Sequence, residues 1–191
     1  MLGLLILFGK IINCSNSGSI TAFYTIGGIA GDLAQEASIE TSFNQGNIKA
    51  LRNITGAYVG GIVGNTYGKI SYCYNIGMVE GNQVNIGGIA GQNYGGIIEN
   101  CYNIGSLKRN NKEISVGGVA GANYKSGKVL NCFFLNDVND GIAYFSDGGT
   151  IDVKSRKAEE IKEEKFLIEL NNGTNKFKSK KNNNFPILEW E

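Results

Sequence analysis

Gly87-Gly88-Ile89-Ala90-Gly91, followed by Ile98-Glu99-Asn100-Cys101-Tyr102-Asn103-Ile104-Gly105, is one unit of an internal repeat. The pentad recurs as Gly27-Gly28-Ile29-Ala30-Gly31, Gly60-Gly61-Ile62-Val63-Gly64 and Gly117-Gly118-Val119-Ala120-Gly121, with successive starts 33, 27 and 30 residues apart. The second motif recurs as Ile11-Ile12-Asn13-Cys14-Ser15-Asn16-Ser17-Gly18, Ile39-Glu40-Thr41-Ser42-Phe43-Asn44-Gln45-Gly46 and Ile70-Ser71-Tyr72-Cys73-Tyr74-Asn75-Ile76-Gly77. A last copy, Val129-Leu130-Asn131-Cys132-Phe133-Phe134, lacks the Asn-x-Gly ending. A period of roughly 30 residues marks a solenoid or propeller array.

Each unit holds short runs of Ile, Val, Tyr and Phe broken by Gly and Asn, which are strand and tight-turn residues. Helix pairs would need two amphipathic stretches per unit, and glycine costs about 1 kcal/mol at each helix-interior position. Propeller blades run to about 40–45 residues, longer than these units. The sequence therefore predicts an all-β fold, a parallel β-solenoid of about five coils stacked at about 4.8 Å per rung.

Stacking the units in register turns single residues into ladders. Cys14, Cys73, Cys101 and Cys132 share one position, with Ser42 filling it in the second coil. Three residues earlier the position is always apolar: Ile11, Ile39, Ile70, Ile98, Val129. A spacing of three breaks strand alternation, so a bend or bulge is expected between the two inward positions. Cys14 and Cys73 are two rungs apart, roughly 9.6 Å, too far for a disulfide. Neighbours such as Cys73 and Cys101 are within reach but poorly spaced, and buried free thiols acting as small hydrophobes are the expected state. Asn16, Asn44, Asn75 and Asn103 form an amide ladder in which Asn-x-Gly is expected to make a positive-φ turn. The pentad glycines are expected at the sharp corners of the coil; no Lys follows at phosphate-loop spacing.

Two aromatic series run along the array. Phe43, Tyr74, Tyr102 and Phe133 adjoin the cysteine ladder, while Tyr67, Tyr94 and Tyr124 each lie three residues after the last glycine of a pentad, with Phe8 in an equivalent place. A solvent-facing series would give sugar rings or a partner's side chains a flat apolar strip, so Tyr67, Tyr94 and Tyr124 are the candidate ligand-binding residues.

Composition excludes much else. The 191 residues include no His, so Ser-His and Cys-His nucleophile pairs and His-based metal sites are ruled out. No catalytic residue, metal ligand or cofactor site is predicted. Asp137, Asp140 and Asp147 gather near the last coil, where loop solvation explains them as well as an acid pair does. A net charge of +1 without a basic stripe argues against nucleic acid as a partner. Met1 to Phe8 is apolar but too short for a membrane span and lacks a signal peptide's basic start, so no membrane insertion is expected.

Residues 1–151 hold 27 of the 28 glycines, whereas residues 152–191 hold 17 of the 35 charges. That shift predicts a solenoid over 1–151 and a small α+β C-terminal cap over 152–191. The expected cap helix follows Ser155 and presents Ala158, Ile161, Lys165 and Ile168 as its stripe, with a break near Glu163-Glu164 and a stop at Gly173. A short strand is expected over Phe185-Pro186-Ile187-Leu188-Glu189-Trp190.

The repeated pentad together with Gly-x-Ile-x-x-Cys-Tyr-Asn-x-Gly resembles the GLUG repeat of bacterial secreted and surface proteins, including adhesin-like proteins and accessory regions of some IgA-cleaving peptidases. The resemblance covers most of residues 9–136 and implies an extracellular or cell-surface, noncatalytic module, structural or adhesive, whose partners are glycan or host or cell-surface protein. The second coil departs from it, lacking the Cys and the Gly before its Ile. Leu2-Gly3-Leu4-Leu5 reads as a degraded pentad, as if the chain began within an array. The alternative is a carbohydrate-active β-helix enzyme, a polysaccharide lyase or hydrolase working with clustered carboxylates.

Overall fold

The computed structural model describes residues 5–6 (backbone only), 8–51, 57–81, 85–109, 116–135, 140–179 and 185–191. The chain is a parallel β-solenoid in which each full turn visits four sheets in order. Sheet I contains Ala30–Leu33, Val63–Thr66, Ala90–Tyr94, Ala120–Tyr124 and Ile142–Phe145, with Leu5–Ile6 at its edge. Sheet II carries two strands per coil, such as Lys69–Ser71 then Tyr74–Asn75, and Ile97–Glu99 then Tyr102–Asn103; Lys128–Leu135 spans both tracks. Sheet III contains Ile20–Ala22, Ile48–Ala50, Val79–Gly81 and Leu107–Arg109. Sheet IV contains Ile26–Gly27, Tyr58–Gly60, Asn85–Gly87 and Val116–Gly117. The predicted register holds from rung to rung: Ile70 pairs with Ile39 and Ile98, and Asn75 with Asn44 and Asn103. Leu2 to Leu4 lie outside the described residues.

The expected bend between the Ile and Cys positions is a left-handed residue in every coil: Asn13 (φ 55), Thr41 (46), Tyr72 (52), Asn100 (52) and Asn131 (47). It is one residue set between the two tracks of sheet II that breaks strand alternation, so the Ile and Cys side chains three residues apart both point inward. The next residue hydrogen-bonds back across that corner. The Cys73, Cys101 and Cys132 thiols donate to the carbonyls of Ser71, Glu99 and Leu130 at 3.2, 3.1 and 3.3 Å. Ser42 makes the same bond to Glu40 at 2.9 Å, so a hydroxyl replaces the thiol without loss of the contact. All four cysteines are free; Cys73, Cys101 and Cys132 are buried, but Cys14 is exposed because it stands on the first coil.

Asn-x-Gly does not make the positive-φ turn expected of it. Gly46, Gly77 and Gly105 have ordinary φ, and the left-handed residue lies on the other side of the ladder. These glycines are required by proximity: a Cβ on Gly77 would lie 2.1 Å from the Gly46 carbonyl oxygen, and one on Gly105 2.0 Å from that of Gly77. The amides do stack as predicted. Asn44 Nδ2 donates to Asn75 Oδ1 at 2.7 Å and Asn75 Nδ2 to Asn103 Oδ1 at 2.8 Å. Each Asn also accepts from the backbone N–H of its own glycine and donates to that glycine's carbonyl, as Asn75 does with Gly77 at 3.2 and 2.9 Å. Phe134 takes the Asn register in the fifth unit and ends the ladder.

The pentad glycines do more than turn a corner. The second glycine of the first three pentads faces the amide ladder: a Cβ on Gly61 would lie 2.4 Å from Asn75 Cγ, and one on Gly88 2.3 Å from Asn103 Cγ, while Gly118 of the fourth faces Phe134. The first and last glycines bring sheets IV and I together backbone to backbone. A Cβ on Gly64 would lie 2.7 Å from Ile26 N, on Gly91 2.4 Å from Val59 N, and on Gly121 2.7 Å from Ile86 N. Packed sheets ordinarily sit about 10 Å apart with side chains between them; only glycine permits this closer approach.

That contact divides the interior into two cores. Sheets I and II and the pentad Ile residues enclose Leu33, Ile39, Ile62, Ile70, Ile89 and Ile98. Sheets III and IV enclose Ile26, Ile48, Val59, Val79 and Ile86. Cross-rung pairs Lys49–Glu80 (2.9 Å) and Lys69–Glu99 (2.8 Å) decorate the outside and contribute little each.

A third core lies outside the solenoid. Phe43, Tyr74 and Tyr102 stack face to face at centroid separations of 4.9 and 5.1 Å and interplanar angles of 5° and 7°, with Phe133 on the next rung. The C-terminal segment covers them with Ile161, Phe166, Leu170, Phe177 and Leu188. It lies along the flank of sheet II instead of across the last rung: Trp190 reaches back to Phe43 (5.6 Å) and donates to the Thr41 carbonyl (2.8 Å), while Tyr74 OH donates to the Glu191 carboxylate at 2.8 Å. Burying a ladder of rings on the outer face of sheet II requires a cover along the whole row.

The solenoid runs past residue 151, since Ile151–Arg156 pairs with Lys128–Leu135 as a further rung. The expected helix start at Ser155 therefore falls inside a strand. Among the described residues, helical structure comprises a 3-10 turn, Glu160–Lys162, and helix α1, Glu164–Asn171, separated by extended Glu163 (ψ 145) at the predicted break. The break re-phases the helix, so the buried stripe is Ile161, Phe166 and Leu170; Ala158 and Ile168 are exposed. Helix α1 ends at left-handed Asn172 before Gly173 (φ +81). Asn171 bonds both backbone groups of Phe177, whose short strand Phe177–Lys178 pairs antiparallel with Ile187–Leu188.

Candidate functional site

Strand alternation gives sheet I two faces. Leu33, Thr66, Asn93 and Asn123 share one register row and are fully buried inside the coil. The residues before them, Asp32, Asn65, Gln92 and Ala122, form a second row on the opposite face, continued by Tyr144. Tyr94 and Tyr124, two residues beyond Gln92 and Ala122, pair directly across the rungs and share that outer face.

The predicted tyrosines come together there. Tyr67 and Tyr94 are 5.4 Å apart between ring centroids, and Tyr94 and Tyr124 6.2 Å apart. Tyr144 extends the strip at 5.3 Å from Tyr124. Sequence reading missed it because it belongs to a turn without a pentad; its register with Ala122 is visible only in the fold. Phe8, placed in an equivalent position by spacing, is 79% exposed.

The two aromatic series differ in geometry despite sharing a rung spacing. Rings of the covered stack lie within 7° of parallel, whereas those of the strip are tilted at 58°, 44° and 40°. Tyr67 and Tyr144 are exposed at 44% and 48%, and Tyr94 and Tyr124 are half-buried. Tyr58 of sheet IV adds a fifth phenol. Burial raises its pKa, with Tyr67 and the Asp32 carboxylate adding to the shift. Burial likewise raises that of Tyr124, helped by Tyr144, Tyr58 and Asp147. These phenols stay protonated at neutral pH, able both to donate and to accept.

Beneath the strip, Asn65 and Gln92 are each 6% exposed. Asn65 Nδ2 donates to Asp32 Oδ1 at 3.1 Å, which fixes the amide orientation and leaves Asn65 Oδ1 without a hydrogen-bond partner. Gln92 Oε1 is also buried and unpartnered. Neither was singled out from the sequence, since an amide one position from the inward row carries no distinguishing signal before the register is known.

Asp140 and Asp147 are exposed, and Asp137 lies outside the described residues. Among the described residues no group of three His, Cys, Asp or Glu side chains is placed to hold a metal ion, and no helix is long and apolar enough to cross a membrane.

The architecture is shared with a solved structure, the 1.30 Å crystal structure of a "putative immunoglobulin A1 protease" from Bacteroides ovatus. The two superpose with a TM-score of 0.70 at 24% sequence identity, over 100% of this chain and 62% of that one. The chain thus spans about three fifths of that protein's solved length, and the likeness is one of fold. No curated protein sequence matches the chain. Residues 82–108, which include the sheet IV strand Asn85–Gly87 and reach into the fourth strand of sheet III, Leu107–Arg109, match the GLUG motif. With the coils on either side repeating the same ladder residues, the chain is consistent with a GLUG-repeat protein.

Proposed function

We propose that this chain is a noncatalytic adhesive module, working at the cell surface or outside the cell, that binds glycan through the strip formed by Tyr67, Tyr94, Tyr124 and Tyr144. The observation that carries this reading is the contrast between the two aromatic series. The stacked rings of sheet II are closed off by the chain's own C-terminal segment, whereas the tilted rings of sheet I are left open. Tilted, half-exposed phenols present both an apolar face and a hydroxyl, the combination that lets a sugar ring lie flat while its hydroxyls are bonded. Tyrosine has only two side-chain torsions to fix, so a row of phenols at rung spacing loses little side-chain freedom on binding. A protein partner using the same strip is the second reading, because tyrosine is also enriched where proteins meet.

The test is a glycan-array screen of the folded chain beside a Tyr67→Ala/Tyr94→Ala/Tyr124→Ala variant. Binding to a glycan class that the triple variant loses supports the reading. A folded, monodisperse chain with no hit turns the strip over to a protein partner.

A further inference from the structure

Buried polar atoms in folded proteins are nearly always hydrogen-bonded, and an orphan calls for an explanation. Three buried side-chain oxygens lack a partner among the described residues: Asn93 Oδ1 belongs to the row inside the coil, whereas Asn65 Oδ1 and Gln92 Oε1 stand in neighbouring rungs of the outer row, beneath the only open aromatic strip among the described residues. Their rung spacing of about 4.8 Å is comparable with the advance per ring of an extended sugar chain. Both are acceptors, so whatever satisfies them must donate. The charged groups within electrostatic reach of Tyr58 and Tyr124 are the carboxylates of Asp32 and Asp147. The neighbouring cation, Lys125, is exposed in the left-handed turn after Tyr124.

We infer that Asn65 and Gln92 are the specificity determinants of the tyrosine strip, and that its ligand is a neutral, hydroxyl-donating glycan extended along the solenoid axis. This rests on the glycan reading above and narrows it. Sugar hydroxyls donate to the two amide oxygens as the tilted rings of Tyr67 and Tyr94 part to admit the ligand. An acidic glycan brings further acceptors and negative charge toward two carboxylates and is disfavoured. Orphaned acceptors discriminate strongly, because a ligand without matching donors leaves them buried and unpaired.

The experiment uses the full chain on an array carrying unsubstituted hexose and N-acetylhexosamine oligomers beside sialylated, sulfated and uronate glycans. It compares the parent with Gln92→Met and Asn65→Leu, near-isosteric changes that remove the acceptor. Expected are hits concentrated among neutral glycans, and a loss of at least about tenfold in affinity for the best neutral oligomer in each variant, with a melting temperature equal to or above the parent's. Gln92→Met carries the test alone if Asn65→Leu, which also withdraws a donor from Asp32, fails to fold. Parent-like binding by Gln92→Met, or hits concentrated among acidic glycans, overturns the inference while the tyrosine reading stands, provided the triple-alanine variant still loses binding. A lower melting temperature with unchanged binding also overturns it and assigns the oxygens to an ordered water. No glycan hit from the folded parent overturns the inference and the glycan reading together.

Discussion

Gly91 of sheet I and Val59 of sheet IV stand back to back, so close that a Cβ added to Gly91 would lie 2.4 Å from the Val59 amide nitrogen. The obstructing atoms belong to backbone held in two sheets at once. Gly91→Ala should therefore destabilise at or beyond the upper end of the usual overpacking range, about 3 kcal/mol. Gly18→Ala is the control, since its added Cβ would meet nothing nearer than Asn16 Oδ1 at 3.7 Å. That variant should stay within about 0.5 kcal/mol of the parent in urea unfolding. Equal losses at both positions would show that the close contact between sheets is not what the pentad glycines secure.

Removing a central rung of the amide ladder strands partners on both sides. Asn75→Ala leaves Asn44 Nδ2 short of one acceptor, Asn103 Oδ1 short of one donor, and Gly77 without either side-chain bond. At about 1–3 kcal/mol per buried unsatisfied group, a loss of several kcal/mol is expected. Asn16→Ala, at the exposed end of the same ladder, should cost markedly less. Chemical denaturation of the two variants side by side makes the comparison.

The corner thiols predict a tolerance and a collapse. Cys73→Ser should be nearly neutral, because Ser42 already makes the equivalent bond in the second coil. Cys101→Asp places an unpaired charge in a site that is fully buried and should abolish cooperative unfolding. In the native parent, only Cys14 should react quickly with an alkylating reagent, which mass spectrometry can verify.

Alkaline pH should weaken the fold through those same groups. Burial pushes the Cys101 and Cys132 thiols well above their ordinary value. An acid whose native pKa is raised binds its proton more tightly folded than unfolded, so its contribution is intact below the unfolded pKa of about 8.5 and is lost as pH rises beyond it. Each thiol should subtract up to about 1.4 kcal/mol per pH unit in that range. Tyr74 and Tyr102, also raised by burial, join above the ordinary phenol value. Urea midpoints between pH 7.5 and 10 should fall in the parent and fall less steeply in a Cys101→Ser/Cys132→Ser variant.

Trp190 is the only tryptophan and packs on Phe43 in the second coil, so its fluorescence reports docking of the C-terminal segment. Phe43→Ala should red-shift the emission and raise protease sensitivity after residue 172, while far-UV circular dichroism changes little. A global unfolding transition in place of this local release would make the flanking segment part of the solenoid's cooperative unit.

The repeat was legible residue by residue. Ile70 and Cys73 at a spacing of three demanded an irregular residue between them, and Tyr72 supplies it with φ 52. Ile39, Ile70 and Ile98 were placed inward and stacked as they are found, because a solenoid copies one side-chain environment from rung to rung and five copies average out local ambiguity. Unrepeated features were less visible. Tyr144 and the strand Ile151–Arg156 belong to turns without a pentad, and the phase of helix α1 depended on one extended residue, Glu163.

For the tyrosines, sequence spacing located Tyr67, Tyr94 and Tyr124 on one line and made them the candidates, but it carried no sign of which aromatic series the chain itself covers. That depended on where the last 35 residues lie, since Trp190, Phe177 and Phe166 cover Phe43, Tyr74 and Tyr102 through contacts more than 60 residues apart in the chain. Local periodicity determined the coil, its ladders and its inward rows, because each depends only on a residue and its copy one turn away. The flank that is sealed, the flank that is open, and the glycine contact between sheets I and IV were decided by tertiary structure. They depend on surfaces meeting that no repeat unit contains by itself.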